Sequence, residues 1–169
     1  MLLCTSYFVV HELEPKYGGI IIEELLPKPI MATQKLSLIA KQMKDLDICM
    51  MSTNGPRGVV NTRPMSNNRD VKYNGESFFF SSMATRKVND IKRSASVSLS
   101  FTGGGGSYII VNGKARLIKD KTIWEKHWDK SLDQWFRKGI DTPGIVLIAV
   151  KANHIKYWDK YKEGDIKLS

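Results

Sequence analysis

Residues 81–88, SSMATRKV in the sequence, place hydroxyl groups and two cations where an apolar strand gives way to a short helix. Free backbone N–H groups at the start of a helix favour negative charge, and Thr85 stands where it can cap that helix. Arg86 and Lys87 add full positive charges and directional donors. Hydroxyl groups, free N–H groups and cations within one short segment predict an anion-binding site, and together they suit a phosphate.

Another cation precedes this segment, at the end of a second strand-like run. Arg63, Pro64 and Met65 close residues 59–65, and a proline denies its strand one donor of the hydrogen-bond ladder. Such a proline is expected in an edge strand or at a bulge beside a ligand. By itself, a Ser/Thr-Arg-Lys cluster is more often a capped surface helix with solvated charges, so the surrounding elements decide its meaning.

The apolar periodicity predicts the elements that hold these groups. Apolar residues at three- and four-residue spacing behind Thr33 predict an amphipathic helix, namely Leu36, Ile39, Ala40, Met43 and Leu46. Strands are predicted at residues 48–53, 59–65, 77–82, 95–101, 107–117, 144–150 and 155–158, and helices at 87–93 and 121–137. Many short strands with glycine-rich turns favour a mainly β fold, a closed or nearly closed antiparallel barrel of six to seven strands with two to three helices.

Length and composition limit the number of domains and the kinds of site that the chain can form. With 169 residues and 42% hydrophobic content, the chain is expected to form one core, in a single domain over residues 31–169. Two cysteines make no disulfide framework, and three scattered histidines give no metal-ligand spacing, so no metal is expected. Residues 1–30 match neither a signal peptide nor a membrane span and are interpreted as an extension, with a core strand as the alternative. The expectation is a soluble, cytoplasmic protein.

The formal net charge of +9 raises the question of nucleic acid, because small basic β-barrels often bind it. The lysines and arginines are spread along the chain with acids between them, and no aromatic-basic motif of the RNA-recognition type occurs. A solvated basic face that raises the local concentration of an anionic cofactor or substrate is therefore favoured over a nucleic-acid partner.

Three ordered motifs carry a resemblance to a known family: VVNTRPM at residues 59–65, FFFSSMATRKVNDI at 78–91 and VSLSF at 97–101. They resemble the pyridoxamine 5′-phosphate oxidase-like flavoproteins, and their general stress protein 26 branch in particular. Further marks stand at 108–113, 135–136 and 157–159, so the resemblance covers residues 36–159. It implies an FMN-binding split β-barrel. It also implies a homodimer, since two subunits of that family create two flavin sites at their interface.

The same resemblance assigns roles to individual residues. It implies that Arg63, Pro64 and Met65 lie along the flavin ring and ribityl chain. The residues implied to line the ribityl chain and ring are Phe80, Ser81 and Ser82, and those implied to hold the phosphate are Thr85, Arg86 and Lys87. Tyr108 stands where the oxidases proper carry a cofactor-contacting polar residue. Trp135 and Trp158 are candidates for contact across the dimer, with core or interface packing as the alternative.

The implied reaction is less defined than the implied ligand. A flavin supplies hydride and one-electron chemistry itself, so no catalytic residue is predicted. FMN is the expected cofactor, with FAD or a deazaflavin as alternatives. The Arg-Leu-x-Pro motif with which true pyridoxamine phosphate oxidases engage their substrate does not occur, so vitamin B6 oxidation is not expected. Three functions stay open, in this order: a flavin-dependent oxidoreductase with a stress-related role, a non-catalytic flavin-storage protein, and a basic β-barrel that binds nucleic acid.

Overall fold

Every strand of the described chain joins one curled antiparallel sheet. The computed structural model describes residues 28–67, 73–160 and 162–168, so residues 1–27 of the predicted extension lie outside the described residues. Within these limits the elements are α1 (Lys28–Lys44), β1 (Ile48–Asn54), β2 (Val60–Ser66), β3 (Glu76–Ser82), α2 (Arg86–Arg93), β4 (Ser96–Thr102), β5 (Ser107–Ile118), α3 (Lys121–His127), β6 (Ile145–Asp159) and β7 (Lys162–Lys167). The predicted mainly β split barrel is confirmed.

The strands follow the order β2-β1-β4-β5-β6-β3, and β7 also pairs with β6. β6 is the longest strand: one of its edges is paired with β5, while the other is shared between β3 along its first half and β7 along its second. β1 and β2 form the predicted hairpin, with Met50 opposite Pro64. Because β2 lies at the edge of the sheet, Pro64 occupies the kind of position in which a missing N–H costs little.

The core lies on the concave side of the sheet. Alternate residues of the central strands are fully buried there, among them Met51 in β1, Leu99 and Phe101 in β4, and Ile109 in β5. The amphipathic helix α1 covers this core with Ile39 and Met43 buried and with Leu36 and Ala40 partly buried against it, while Leu46, predicted in the same stripe, packs there two residues after the helix ends. The predicted apolar stripe is confirmed, although α1 begins at Lys28 rather than behind Thr33.

Two predicted elements differ from the structure. The helix predicted at 121–137 stops at His127, because Trp128 adopts an extended backbone (φ −76°, ψ 130°). The Asp129 side chain then accepts a hydrogen bond from the Ser131 N–H (2.7 Å) and starts a separate 3₁₀ turn, Lys130–Gln134. A competing cap therefore breaks a run whose apolar spacing alone fits one helix.

The strands predicted at 144–150 and 155–158 are one continuous strand, β6. The polar residues between them do not end it, because a bulge absorbs Asn153: Asn112 pairs with His154, and Gly113 pairs with Ala152. A Cβ at position 113 would overlap the backbone carbonyl of Lys151, so this close approach of the two strands requires glycine.

The search for membrane spans found no helix among the described residues with the length and apolar character to cross a bilayer. In the same part of the chain, no group of three or more His, Cys, Asp or Glu residues could hold a metal ion.

Candidate anion-binding site

α2 begins beside the end of β3. The N–H of Met83 donates to the carbonyl of Gly144 (2.8 Å), which fixes the turn between the two elements against the start of β6. Thr85 is the N-cap residue with an extended backbone, as predicted. Its hydroxyl does not cap the helix, because it donates to the Ser82 carbonyl (2.8 Å) and lies 3.4 Å from the Ser81 hydroxyl. The predicted cap is right in position and wrong in its hydrogen bond.

The start of α2 consequently keeps two backbone donors open. The Thr85 carbonyl accepts hydrogen bonds from Val88 (3.2 Å) and Asn89 (3.3 Å), whereas the N–H groups of Arg86 and Lys87 have no acceptor among the described residues. Open N–H groups in the first turn of a helix carry partial positive charge. An anion in front of them would complete their hydrogen bonding.

Three cations converge on this helix start. Arg86 and Lys87 from α2 are close enough to Arg63 from β2 to repel it. Burial lowers the pKa of Lys87, and the charge of Arg63 lowers it further. Burial also lowers the pKa of Arg63, where the charge of Asp90 opposes the change and the charge of Arg86 adds to it. The described part of the chain gives Arg86 and Lys87 no ion pair. A bound anion would relieve this repulsion. Charges that are only solvated on a surface helix do not require such a close approach of like charges.

Arg63 is held from one side only. Its Nη1 atom donates to the Met51 carbonyl (3.1 Å) and to the Thr53 hydroxyl (2.8 Å), both in the neighbouring strand β1. Its Nη2 atom lies 3.7 Å from Asp90 Oδ2, beyond hydrogen-bonding distance. Within the described residues, the N–H groups of Nη2 and Nε make no hydrogen bond. The Arg63 side chain, 19% exposed, is thus fixed in place with part of its guanidinium free to donate to a ligand.

Asp90 is the member of this site that the sequence did not single out. It is 1% exposed, and its carboxylate accepts hydrogen bonds from Thr53 (2.8 Å), Asn61 (2.9 Å) and Arg93 (2.7 Å). A signal was present: Asp90 lies on α2 between Val88 and Ile91, in the stripe that faces the core, where a carboxylate must be paired. It ties α2 to both strands of the β1–β2 hairpin.

Asp90 also predicts a pH dependence of stability. Burial alone would raise the pKa of this carboxyl, but the hydrogen bonds from Asn61 and Thr53 and the charges of Arg93 and Arg63 together hold it below the ordinary value. Its stabilisation is therefore complete above the unfolded-state pKa of about 3.9 and is lost as pH falls through the lower folded-state pKa. Urea unfolding of wild type and Asp90→Asn should show a difference in unfolding free energy that is constant above about pH 5. The difference should shrink toward pH 3, and a difference that grows in acid would contradict this.

The residues predicted to line the flavin are not all on one surface. Ser81 is buried and Ser82 half-buried at the end of β3, beside the cations. Phe80 is half-buried and makes an edge contact with Trp128 (ring centroids 4.8 Å apart). Pro64 is exposed on the outer face of β2, whereas the Met65 side chain is buried in the core.

The three remaining candidates lie elsewhere in the chain. Tyr108 in β5 pairs with Trp158 in β6, whose indole N–H donates to Glu163 (3.2 Å). Ser81 pairs with Val146, twelve residues before Trp158 on the same strand, which is about 40 Å along a strand at about 3.3 Å per residue. Trp135 is 71% exposed in the segment after α3. A single chain therefore gathers the predicted phosphate residues and leaves Tyr108 and Trp158 remote from them.

The donor set fits a phosphate ester. Two side chains without ion-pair partners, an oriented guanidinium and open helix N–H groups together supply the charge and the directional donors that a dianion requires. The free cysteine of the described residues, Cys49, supplies no thiolate here, because it is buried in the core and burial raises the pKa of its thiol to about 12. The arrangement is suited to binding and orienting an anion.

Comparison with protein families shows which family this fold belongs to. The family model described as Pyridoxamine 5′-phosphate oxidase like matches residues 34–168. The chain belongs to the pyridoxamine 5′-phosphate oxidase-like family. The family membership expected from the three motifs is confirmed, and the match includes β2 and α2, which carry the three cations.

Relatives support the general stress protein 26 branch of the family. General stress protein 26 of Bacillus subtilis is 25% identical over 91 residues, which are 52% of this chain and 64% of that protein. A solved structure from Clostridium acetobutylicum, of a protein related to general stress protein 26, has a TM-score of 0.67 at 19% identity, covering 85% of this chain and 97% of that one. The general stress protein 26 of Bacillus anthracis gives 0.66 at 21%, covering 80% and 98%.

A third solved structure is that of the general stress FMN/FAD binding protein of Xanthomonas citri. Its TM-score is 0.66 at 21% identity, and the match covers 77% of this chain and 92% of that chain. At such identities these structures establish the shared fold of the pyridoxamine 5′-phosphate oxidase-like family.

Proposed function

We propose that this chain is a flavin-binding protein of the pyridoxamine 5′-phosphate oxidase-like family and acts as a cytoplasmic flavin-dependent oxidoreductase with a stress-related role. The observation that carries the proposal is the cluster of Arg63, Arg86 and Lys87 at the start of α2. These cations repel one another, and two of them have no ion pair in the described part of the chain. The relative from Xanthomonas citri, which is an FMN/FAD binding protein, supports the choice of ligand.

FMN is the flavin that this donor set suits best. Its terminal phosphate monoester carries close to two negative charges and accepts several hydrogen bonds, which matches two cations plus a half-open guanidinium. Ser82, half-buried at the end of β3, stands next to the cations in the chain and would meet the polar ribityl chain, whereas the Ser81 hydroxyl is buried 3.4 Å from that of Thr85. A bound flavin supplies the hydride and one-electron chemistry, and the residues of this chain bind and orient it.

The outer face of the sheet supports a homodimer with flavin sites at its interface. Large apolar side chains are exposed there, namely Ile48 (51%), Met50 (41%), Val60 (62%) and Tyr108 (49%). Since Tyr108 and Trp158 are remote from the cations of their own chain, a partner subunit is the source from which such residues would reach the flavin. Sedimentation equilibrium should give twice the chain mass of 19.2 kDa, and a monomer at all concentrations would refute the dimer.

A visible absorption spectrum tests the central proposal. The purified protein is recorded alone and after addition of FMN, FAD or riboflavin followed by desalting, and the retained flavin is identified by chromatography. Retained FMN is the expected result. A colourless protein after all three additions would overturn it, and oligonucleotide binding would then be the function to measure. Bound FMN that no nicotinamide cofactor reduces and no acceptor reoxidises would indicate flavin storage instead of turnover.

A further inference from the structure

Asp90 occupies an unusual place for a carboxylate, since it lies behind a cluster of cations that are arranged for an anion. Its side chain is 1% exposed, so the carboxylate does not contact a ligand bound at the surface. Its nearest contacts are Thr53 and Asn61 of the hairpin and Arg93 one turn further along α2. The same Thr53 hydroxyl that donates to Asp90 accepts a hydrogen bond from Arg63 (2.8 Å). A relay of two hydrogen bonds therefore runs from Arg63 through Thr53 to Asp90.

These contacts orient Arg63 and leave the N–H groups of Nη2 and Nε without an acceptor among the described residues. Both hydrogens of Nη1 point to β1, one to the Met51 carbonyl and one to Thr53, and these contacts fix the plane of the guanidinium. Asp90 approaches Nη2 only to 3.7 Å, which is an ion pair without a direct hydrogen bond. A closer carboxylate would compete with a ligand for the same N–H groups. The observed distance leaves them available.

The resemblance implied a place for Arg63 along the flavin ring and ribityl chain, but its position near Arg86 and Lys87 favours the phosphate instead. We propose that Asp90 is the positioning residue of the anion site: through Thr53 it holds the Arg63 guanidinium in the orientation that meets the phosphate of the bound flavin. This inference rests on the proposed flavin-binding function. It assigns to Asp90 an effect on affinity although Asp90 does not contact the ligand.

The direction in which Asp90→Asn changes FMN affinity distinguishes this positioning role from a role in which Asp90 only offsets the positive charges. A buried negative charge close to a phosphate repels it, so a carboxylate that only offsets the cations weakens anion binding. Asp90→Asn would then strengthen FMN binding. If Asp90 positions Arg63, the same substitution releases the guanidinium and weakens FMN binding, because an oriented charged hydrogen bond is lost.

The experiment measures dissociation constants for FMN and for riboflavin by quenching of flavin fluorescence. Riboflavin lacks the phosphate, so the ratio of its dissociation constant to that of FMN isolates the phosphate contribution. We expect Asp90→Asn to lower this ratio on the order of tenfold with riboflavin affinity unchanged. An unchanged or increased ratio would overturn the proposal. Asp165→Asn serves as control, because it removes an exposed carboxylate of β7 that pairs with His154.

Two further variants guard against a merely structural explanation. Thr53→Val keeps every charge and nearly the same shape but breaks the relay, so it should lower the ratio of dissociation constants as Asp90→Asn does. If Asp90→Asn does not fold, Thr53→Val alone tests the proposal. In an Arg63→Gln background, Asp90→Asn should have no further effect on the ratio. A wild-type protein that binds neither flavin would refute the proposed function, whereas strong FMN preference that is insensitive to Asp90 and Thr53 would refute the inference alone.

Discussion

Simultaneous replacement of Arg86 and Lys87 by alanine is expected to abolish retention of FMN on desalting. In the proposed complex each side chain would supply a charge-assisted hydrogen bond worth about 1.5–3 kcal/mol, so losing both would lower the affinity by about a hundredfold to ten-thousandfold. Neither side chain has an ion pair in the described part of the fold, so their removal leaves no buried partner unpaired. Titration with FMN, followed by flavin fluorescence, measures the loss.

The matched control is the double variant Lys41→Ala and Lys44→Ala. Both lysines are exposed in the last turns of α1, and their removal lowers the net charge by the same amount. FMN affinity should stay within about twofold in this control, because exposed charges far from the ligand are screened by salt. Equal losses in the two double variants would mean that net charge, and not the start of α2, attracts the flavin.

Replacement of Phe101 by alanine is expected to lower the free energy of unfolding by about 3–5 kcal/mol, because it removes a buried ring and leaves a cavity. Phe101 is 1% exposed in β4 and pairs with Cys49 in β1 and Ile109 in β5, so the cavity would open at the centre of the sheet. Urea unfolding followed by tryptophan fluorescence measures the change. The sheet surrounds this position on both sides and has little freedom to collapse into the space.

Leu38→Ala is the corresponding control. Leu38 is 63% exposed on α1, so its truncation should change the unfolding free energy by no more than about 0.5 kcal/mol. A loss below about 1 kcal/mol for Phe101→Ala would mean that the Phe101 ring is not tightly packed in the core.

Much of the fold was predictable because its signals are local. The β1–β2 hairpin has a loop of turn-forming residues between two alternating runs, and Pro64 indicated an edge strand. The two failures have different causes, one a local cap and the other a contact between strands. The helix after Asp120 looked longer than it is because apolar spacing does not report the competing cap at Asp129. The break expected within β6 is a bulge, whose existence depends on the paired Asn112 and Gly113 of another strand.

Some residues of the candidate site were predictable from local sequence, and others depend on contacts between elements. Arg86 and Lys87 could be proposed from residue type and position alone, because both belong to one short segment. For Asp90, its place in the core-facing stripe of α2 indicated a paired carboxylate, but not its partners. These include Thr53, which also binds Arg63, and no local pattern reports that residues of two strands meet there. The role of Thr85 was half predictable for the same reason: the N-cap position is local, whereas the choice of the Ser82 carbonyl as acceptor depends on the turn geometry.

The shared edge of β6 bears on how the polypeptide folds during synthesis. β3 has β6 as its strand partner, with Ser81 paired to Val146, so β3 leaves the ribosome long before the strand that completes its hydrogen bonds. Such distant pairings close slowly, because the intervening chain must be ordered first. The β1–β2 hairpin can form early, but the turn from β3 into α2 is anchored only when Gly144 and β6 have emerged. Nascent chains shorter than this therefore expose β3 to chaperones and cannot yet capture an anion.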